Sequence, residues 1–376
     1  MLVLTGGDET VGKAGIYIHI PFCRSKCPYC DFYSMKADNE MIQKYVSSLA
    51  EAVPRLSEKY GIDADTLYIG GGTPSLIGAD NIMKIVSAAK VFGNFDEVTV
   101  ECNPSCVETD FFEKISASGV NRISLGLQSA VDSERRSLGR LAGIAEAEKC
   151  IRSAKDAGIE NISLDVMLGI PSQTQKSFEE TLDFCVSSGV AHISAYMLKL
   201  EENTFFYKNQ NKLNLPDDDF TADMYLEMVE YLEKHGFHQY EISNFALDGY
   251  ESRHNLKYWK GDEYLGIGPA AHSFIRDRRF YYPRDIEYFM NGGEPLDDGE
   301  GGGIGEYVML GLRLTEGISY EKIAAAVSAE KLEEIKTQAN FFEKSGFVKE
   351  NDLGFCLTPT GFLISNTIIE KILSVF

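Results

Sequence analysis

The chain has 376 residues, of which 44% are hydrophobic and 25% charged, the balance of a folded barrel-sized or doubly wound domain with a smaller one beside it. No run approaches the roughly 20 apolar residues of a membrane span, and Met1–Thr10 has neither the basic start nor the long apolar core of a signal peptide, so the cytoplasm is the expected location. A formal charge of −21 repels phosphate backbones and no basic run offsets it, so nucleic acid is not expected as a partner.

The first predicted strand is Gly15–Ile20, with Ile16, Ile18 and Ile20 on one face and Tyr17 and His19 on the other. Pro21 ends it, because it has no N–H for the ladder. Cys23, Cys27 and Cys30 follow in a C-x3-C-x2-C loop, in a run too short to pack around anything but an inorganic centre. Further strands are expected at Thr66–Ile69, Glu97–Val100, Arg122–Leu127, Asn161–Met167 and His192–Leu198. Between and after them lie helical patterns at Glu40–Lys59, Ala79–Phe92, Thr109–Ser118, Ile144–Ala157, Lys176–Ser188 and Pro216–His235. Gly61, Gly119, Gly158, Gly189 and Gly236 stand where a helix C-cap favours positive φ, and Pro54 predicts a kink or an early end to its helix. Cys102, Cys106, Cys150, Cys185 and Cys356 are isolated or loosely paired; Cys150 and Cys185 read as plain buried thiols, and no disulfide framework is expected.

Six β-then-α units predict a parallel sheet with helices outside, and periodicity alone leaves an open doubly wound sheet and a partial barrel both open. The strand ends favour the barrel. The Cys loop follows the first strand, Gly70-Gly71-Gly72-Thr73-Pro74 the second and Glu101-Cys102-Asn103 the third. Gln128 ends the fourth, Asp165 lies on the fifth before Gly169-Ile170-Pro171, and Tyr196 and Lys199 mark the sixth. Chemistry at the carboxyl ends of many strands is the barrel arrangement, whereas a doubly wound sheet concentrates it at one switch point. The glycine run is neither a dinucleotide fingerprint nor a P-loop, and on its own reads equally as a ligand cradle or a turn.

The rhythm breaks after residue 235. A short strand is expected at Tyr240–Phe245, followed by His254-Asn255-Leu256-Lys257-Tyr258-Trp259 and a Gly-rich loop with His272. A lone His is ordinarily a satisfied structural residue; the neighbouring Tyr258 and the single Trp make His254 a candidate ligand contact, with His272 behind it. Asn291–Gly303 is Gly- and acid-rich and reads as a flexible linker. Beyond it, helices at Gly305–Arg313, Tyr320–Val327 and Ala329–Lys344, strands at Val348–Glu350 and Gly354–Leu357, and a last helix at Pro359–Leu373 suggest a winged-helix-like module. It lacks a basic recognition face, so packing against the main domain is its expected role. The expected divisions are 1–235, 236–300 and 301–376.

Three thiolates with one His can close a tetrahedral zinc site, or they can hold three irons of a [4Fe–4S] cluster and leave the fourth open. The spacing is unlike paired C-x2-C zinc knuckles, and Tyr29 and Phe32 could shield a cluster. At this point a resemblance becomes specific. C-x3-C-x2-C with an aromatic before the third Cys resembles the radical SAM superfamily, in which S-adenosylmethionine chelates the unique iron. Tyr17-Ile-His-Ile-Pro-Phe-Cys23, Gly70-Gly-Gly-Thr-Pro-Ser75, Asn121-Arg-Ile-Ser-Leu-Gly-Leu-Gln128, Leu138-Gly-Arg140 and Leu164-Asp-Val-Met-Leu-Gly-Ile-Pro171 are similar to the oxygen-independent coproporphyrinogen III oxidase group. The resemblance covers most of the chain. It implies an α/β fold, a partial (β/α)6 TIM-like barrel of the radical SAM type with the smaller C-terminal module. It implies Cys23, Cys27 and Cys30 as cluster ligands, and Tyr17, Tyr29, Gly71, Gly72, Thr73, Glu101, Gln128, Arg140 and Asp165 as contacts of S-adenosylmethionine.

That group contains oxidases that decarboxylate coproporphyrinogen III and HemW-type haem chaperones. Two departures separate this chain from the oxidases. Phe32 stands where they carry a further Cys, and about fourteen residues precede the first strand where they have a longer arm. His254-Asn255-Leu-Lys-Tyr258-Trp259 matches the H-N-x-x-Y-W motif of the HemW type. The resemblance therefore implies haem or a porphyrin as ligand, with His254 as candidate iron ligand ahead of His19 and His272. It implies haem-accepting proteins as partners, and leaves room for peripheral contact with membrane-bound acceptors and for a homodimer. Coproporphyrinogen III dehydrogenation and a zinc-stabilised binding protein are the alternatives.

Overall fold

The computed structural model describes residues 13–108, 110–140 and 142–376. The Met1–Thr10 start, and Thr109 as the first residue of a helix, lie outside the described residues. Strands β1 (Ala14–Ile20), β2 (Ala64–Gly71), β3 (Glu97–Cys102), β4 (Arg122–Gln128), β5 (Asn161–Leu168) and β6 (His192–Met197) pair in parallel, in sequence order. The alternation along each strand decides what the sheet encloses. Registers Tyr17↔Tyr68, Tyr68↔Thr99, Thr99↔Arg122, Ser124↔Ser163 and Asp165↔Ser194 put polar side chains on one face. The opposite face carries Ile16, Ile18, Leu67, Ile69, Val98, Val100, Ile123, Leu125, Ile162, Leu164 and Ile193, all buried in one hydrophobic core.

Helices Asn39–Tyr60, Ala79–Ala89, Phe111–Ser118, Ile144–Asp156, Gln175–Ser187 and Asp218–Lys234 cover that apolar face with Leu49, Ile82, Ile115, Ile151, Phe178 and Met228. Each such side chain removed from water contributes about 1.5–3 kcal/mol, so the core lies between sheet and helices and the polar face is left for a site. The five glycines expected to close helices all have positive φ, from +58° at Gly61 to +111° at Gly119. Pro54 neither ends nor interrupts its helix, which runs through to Tyr60. Tyr45, Leu49, Val53 and Leu56 bury both sides of it against the sheet, which offsets a penalty of about 3 kcal/mol.

The sheet does not close and is longer than the six expected strands. On the β6 side the expected strand Tyr240–Phe245 is a hairpin, β7 (His238–Glu241) and β8 (Asn244–Ala246), with β8 antiparallel to β6. On the β1 side β9 (Tyr264–Ile267) adds in parallel, followed by β10 (His272–Ile275), β11 (Arg278–Tyr281) and β12 (Leu296–Glu300). The segment read as a flexible linker thus supplies an edge strand. Its acidic residues meet bases on neighbouring elements: Glu294 pairs with Lys59 at 2.7 Å and with Arg55, and Asp297 with Arg278 at 2.5 Å.

The C-terminal part contains helices Ile304–Gly311, Tyr320–Ala324 and Ala329–Lys344 and a three-stranded sheet of β13 (Ile318–Ser319), β14 (Val348–Asn351) and β15 (Gly354–Leu357) in the order β13-β15-β14. The expected last helix is two, Pro359–Leu363 and Ser365–Leu373, divided at Ile364. Backbone bonds from Ile242 N–H to Arg313 C=O (3.0 Å) and from Thr315 N–H to Tyr240 C=O (3.1 Å) fasten this part to the β7–β8 hairpin. The Arg313 guanidinium lies 5.9 Å from the Trp259 ring centre, a cation–π contact across the same junction.

Candidate functional site

The carboxyl ends of β1–β6 surround a cavity of about 650 Å³. The cysteine loop forms one wall. Its base is pinned where Cys23 N–H donates to Met35 C=O (2.9 Å) and Met35 N–H to Pro21 C=O (2.8 Å). Cys23, Cys27 and Cys30 are free, partly exposed thiols that face the cavity, and Cys23 Sγ lies 3.4 Å from Thr73 Oγ1. Among the described residues no three His, Cys, Asp or Glu side chains converge as they would around a single ion, so the loop as placed is not a closed zinc site.

The glycines after β2 face the thiols. Gly72 N–H donates to Ile20 C=O at 2.8 Å, which draws the end of β2 onto the end of β1. A Cβ at Gly72 would stand 2.7 Å from Phe22 O, so only glycine allows this approach. Glu101, at the end of β3, accepts from Gly71 N–H through Oε2 (3.0 Å) and from the Tyr68 hydroxyl through Oε1 (2.9 Å). It therefore fixes the glycine loop and keeps one further acceptor site on each oxygen.

Burial, and after it the nearby Asp165, push the Glu101 carboxyl up to about 7. The folded chain holds this proton more tightly than the unfolded one. The resulting stabilisation is fully present below about pH 4.5 and is lost as the pH rises through about 7. A Glu101→Gln chain is expected to lose less stability over that range, by about 3 kcal/mol at most. Urea denaturation across the range measures it, and equal slopes in parent and variant would remove Glu101 as the source.

Asp165 accepts from the Ser124 hydroxyl at 2.8 Å, and burial raises its carboxyl as well. Gln128 takes a left-handed φ of +71° at a register shift between Gly126 and Gln128. A bulge with a non-glycine residue at positive φ re-aims a side chain at a local energetic cost, a feature that clusters at functional sites. Arg140 donates from Nη2 to the Tyr29 hydroxyl at 3.0 Å, tying the helix-bearing segment after β4 to the cysteine loop.

Eleven of the expected site residues therefore share one cavity: the three Cys, Tyr29, Gly71, Gly72, Thr73, Glu101, Gln128, Arg140 and Asp165. Tyr17 and His254 are not among its lining residues. The Tyr17 hydroxyl bonds to His19 Nδ1 at 2.9 Å, while His19 Nε2 donates to Tyr33 C=O at 3.0 Å. Burial holds this neutral His19 down to about 4. His272 begins β10, between β9 and β11, with its side chain exposed and stacked on Tyr281 at 5.4 Å.

His254 is fully buried near the amino ends of the strands. Its Nδ1 meets Thr66 Oγ1 at 2.9 Å and its Nε2 meets the Tyr258 hydroxyl at 2.8 Å, and its ring stacks on Tyr68. As placed, neither ring nitrogen is open to an iron, and burial keeps the ring neutral, down to about 3. The H-N-x-x-Y-W segment makes up helix Arg253–Lys260 apart from its two end residues. Both Glu97 oxygens accept from its first N–H groups, at Arg253 and His254, each at 3.0 Å. This helix seals the inner end of the barrel, and Asn255 rather than His254 lines the cavity.

Arg122, Asn255, Tyr68 and Ser194 line the cavity and were not expected there. The strand phase carried the signal for Arg122, since residues 122, 124, 126 and 128 share one face.

The sequence profile of the Radical SAM superfamily matches residues 17–185, and that of the HemN C-terminal domain matches residues 304–364. A Bacillus subtilis protein described as heme chaperone HemW is 32% identical over 372 residues, covering 95% of this chain and 98% of its own. The Lactococcus lactis protein of the same description is 32% identical over 374 residues, covering 95% and 96%. The Escherichia coli one is 36% identical over 265 residues, covering 69% and 70%. Among solved structures, coproporphyrinogen III oxidase (HemN) from Escherichia coli, a radical SAM enzyme, superposes with a TM-score of 0.82. That match is 20% identical and covers 97% of this chain and 91% of the other, a likeness of fold.

Proposed function

Because the chain belongs to the HemW family within the radical SAM superfamily, we propose that it binds haem in the barrel cavity and passes it to haem-dependent proteins. In this reading Cys23, Cys27 and Cys30 carry a [4Fe–4S] cluster with S-adenosylmethionine beside it. The observation that carries it is the single cavity joining three free thiols to the glycine cradle, Glu101, Gln128, Arg140 and Asp165. The residues suit the groups. Three free thiols lining one cavity suit a cluster that takes an exogenous ligand on its open iron. Gly71 and Gly72 bring backbone against the ligand, Arg140 offers a guanidinium to a carboxylate, and Asp165 an acceptor to hydroxyls. A bound cluster would supply one-electron chemistry, while the chain's own part is to hold, orient and dry the ligands. A cavity of about 650 Å³ falls in the usual range for a small-molecule pocket.

No helix among the described residues is long and apolar enough to cross a membrane, so an acceptor in a membrane would be met from its surface. The reading is tested on anaerobically reconstituted protein by haem titration beside turnover of coproporphyrinogen III with reductant and S-adenosylmethionine. Stoichiometric haem binding without turnover supports the carrier. Protoporphyrinogen at catalytic turnover overturns it in favour of the dehydrogenase.

His254 has two candidate roles, iron ligand and barrel seal, and the geometry favours the seal. Its removal in His254→Ala leaves the Thr66 and Tyr258 hydroxyls unpartnered around a void, with an expected destabilisation of about 3 kcal/mol. Haem affinity is expected to stay near the parent value wherever the variant is folded. Unchanged stability with lost haem binding would return His254 to the iron.

A further inference from the structure

We propose that Arg122, at the inner end of the cavity, is a binding site for a carboxylate carried by the ligand. Arg122 begins β4 with its side chain on the enclosed face, and it is 1% exposed while lining the cavity. Its Nε and Nη1 are buried and have no hydrogen-bond partner among the described residues. A guanidinium does not escape such a position by losing its proton. The free energy of an unpaired buried cation is instead lowered by an anion of matching shape, which for this planar fork is a carboxylate.

Glu101 and Asp165 are near enough to feel the charge of Arg122, but neither forms an ion pair with it among the described residues: Glu101 bonds Tyr68 and the Gly71 amide, and Asp165 bonds Ser124. The neighbouring positions repeat the pattern. Thr99 and Asn161 face Arg122 in register from β3 and β5. Thr99 Oγ1 and Asn161 Oδ1 are likewise buried without partners among the described residues. Unsatisfied polar groups are rare in folded interiors, so Arg122 and the two flanking it on adjacent strands mark a prepared site rather than a packing accident. Asn255 on the sealing helix faces the same cavity and offers an amide for the second oxygen.

The inference rests on the proposed function for the source of the carboxylate: a haem propionate, whose alkyl arm can reach inward while the ring stays nearer the mouth. The methionine carboxylate of S-adenosylmethionine shares the chemistry, and the test separates the two. Arg122→Met keeps length and apolar volume and removes the charge; Arg122→Lys keeps the charge without the fork and serves if the first variant does not fold. Haem, haem dimethyl ester and S-adenosylmethionine are titrated into reconstituted parent and variant, and thermal unfolding is followed without ligand.

With a propionate at Arg122, Arg122→Met weakens haem roughly 10- to 100-fold and leaves the diester and S-adenosylmethionine unchanged. The apo variant melts near the parent temperature, since Arg122 Nε and Nη1 make no hydrogen bond in the parent. Weakened S-adenosylmethionine with unchanged haem also supports a carboxylate site and assigns it to the methionine. Folded variants that bind both as the parent does overturn the site and leave Arg122 structural. A parent chain that binds no haem overturns the carrier function, and the S-adenosylmethionine titration then decides Arg122 alone.

Discussion

A Cys27→Ser chain is expected to take up no cluster on anaerobic reconstitution and to lose S-adenosylmethionine binding by at least about 100-fold, while keeping its fold. The loss follows from the ligand count: with two thiolates the loop cannot hold three irons, and the methionine moiety has no open iron to chelate. The fold survives because the thiols contribute little to it. All three are partly exposed, and the loop is anchored at its base by Cys23, Met35 and Pro21 backbone bonds rather than by sulfur. Cys185→Ala is the counterpart. That thiol is fully buried in a helix and away from the cavity, so its loss is expected to cost about 1 kcal/mol or more with iron content unchanged. Cys102 and Cys106 are the more demanding controls, because both line the cavity. If iron uptake survived in Cys27→Ser and failed in Cys106→Ala, the ligand set would have to be redrawn. Zinc retained in place of iron by the parent would end the radical SAM reading of the loop.

The barrel was legible because its strands alternate. Ile16, Ile18 and Ile20 against Tyr17 and His19 is a phase that continues through all six parallel strands, and each predicted strand end fell within about two residues of the observed one. The same phase pointed inward at Arg122, but an arginine at the first position of a strand reads locally as a solvated edge. Only the pairing with Thr99 and Asn161 shows it enclosed. His254 misled for the opposite reason. A histidine beside a tyrosine and the single tryptophan looks like a ligand, whereas its bond to Thr66 spans 188 positions of the chain and has no local signature. Tyr258, four residues on, is a helical neighbour, and reading the segment as a helix would have exposed that pair. Edge strand β12 was hidden by composition. Glycines and acids predict a linker until Arg278 is known to lie opposite Asp297.

Gly72→Ala is expected to separate cluster binding from S-adenosylmethionine binding. The added methyl would stand 2.7 Å from Phe22 O and 3.0 Å from Ile20 O, both backbone atoms at the root of the cysteine loop. No side-chain rotation relieves that contact, so the end of β2 must move away from the end of β1. The Gly72 N–H bond to Ile20 C=O is then lost, and the adjoining Gly71 amide turns away from Glu101. Overpacking of this kind costs about 1–3 kcal/mol, and a lost backbone bond adds about 1. A stability loss of about 2–4 kcal/mol is therefore expected by urea denaturation. Gly78→Ala supplies the baseline. Gly78 has φ +82° and nothing within 4 Å of its would-be Cβ, so only the backbone strain of about 1 kcal/mol applies there. Cys23, Cys27 and Cys30 keep their own loop in Gly72→Ala, so iron content after reconstitution is expected to match the parent. S-adenosylmethionine affinity falls by about 100-fold or more, because the displaced cradle presents backbone polar groups where the ligand does not reach them. Parent-like affinity in a folded Gly72→Ala chain would mean that the glycines only make a turn, and that the ligand is held by Arg140, Gln128 and Asp165 across the cavity.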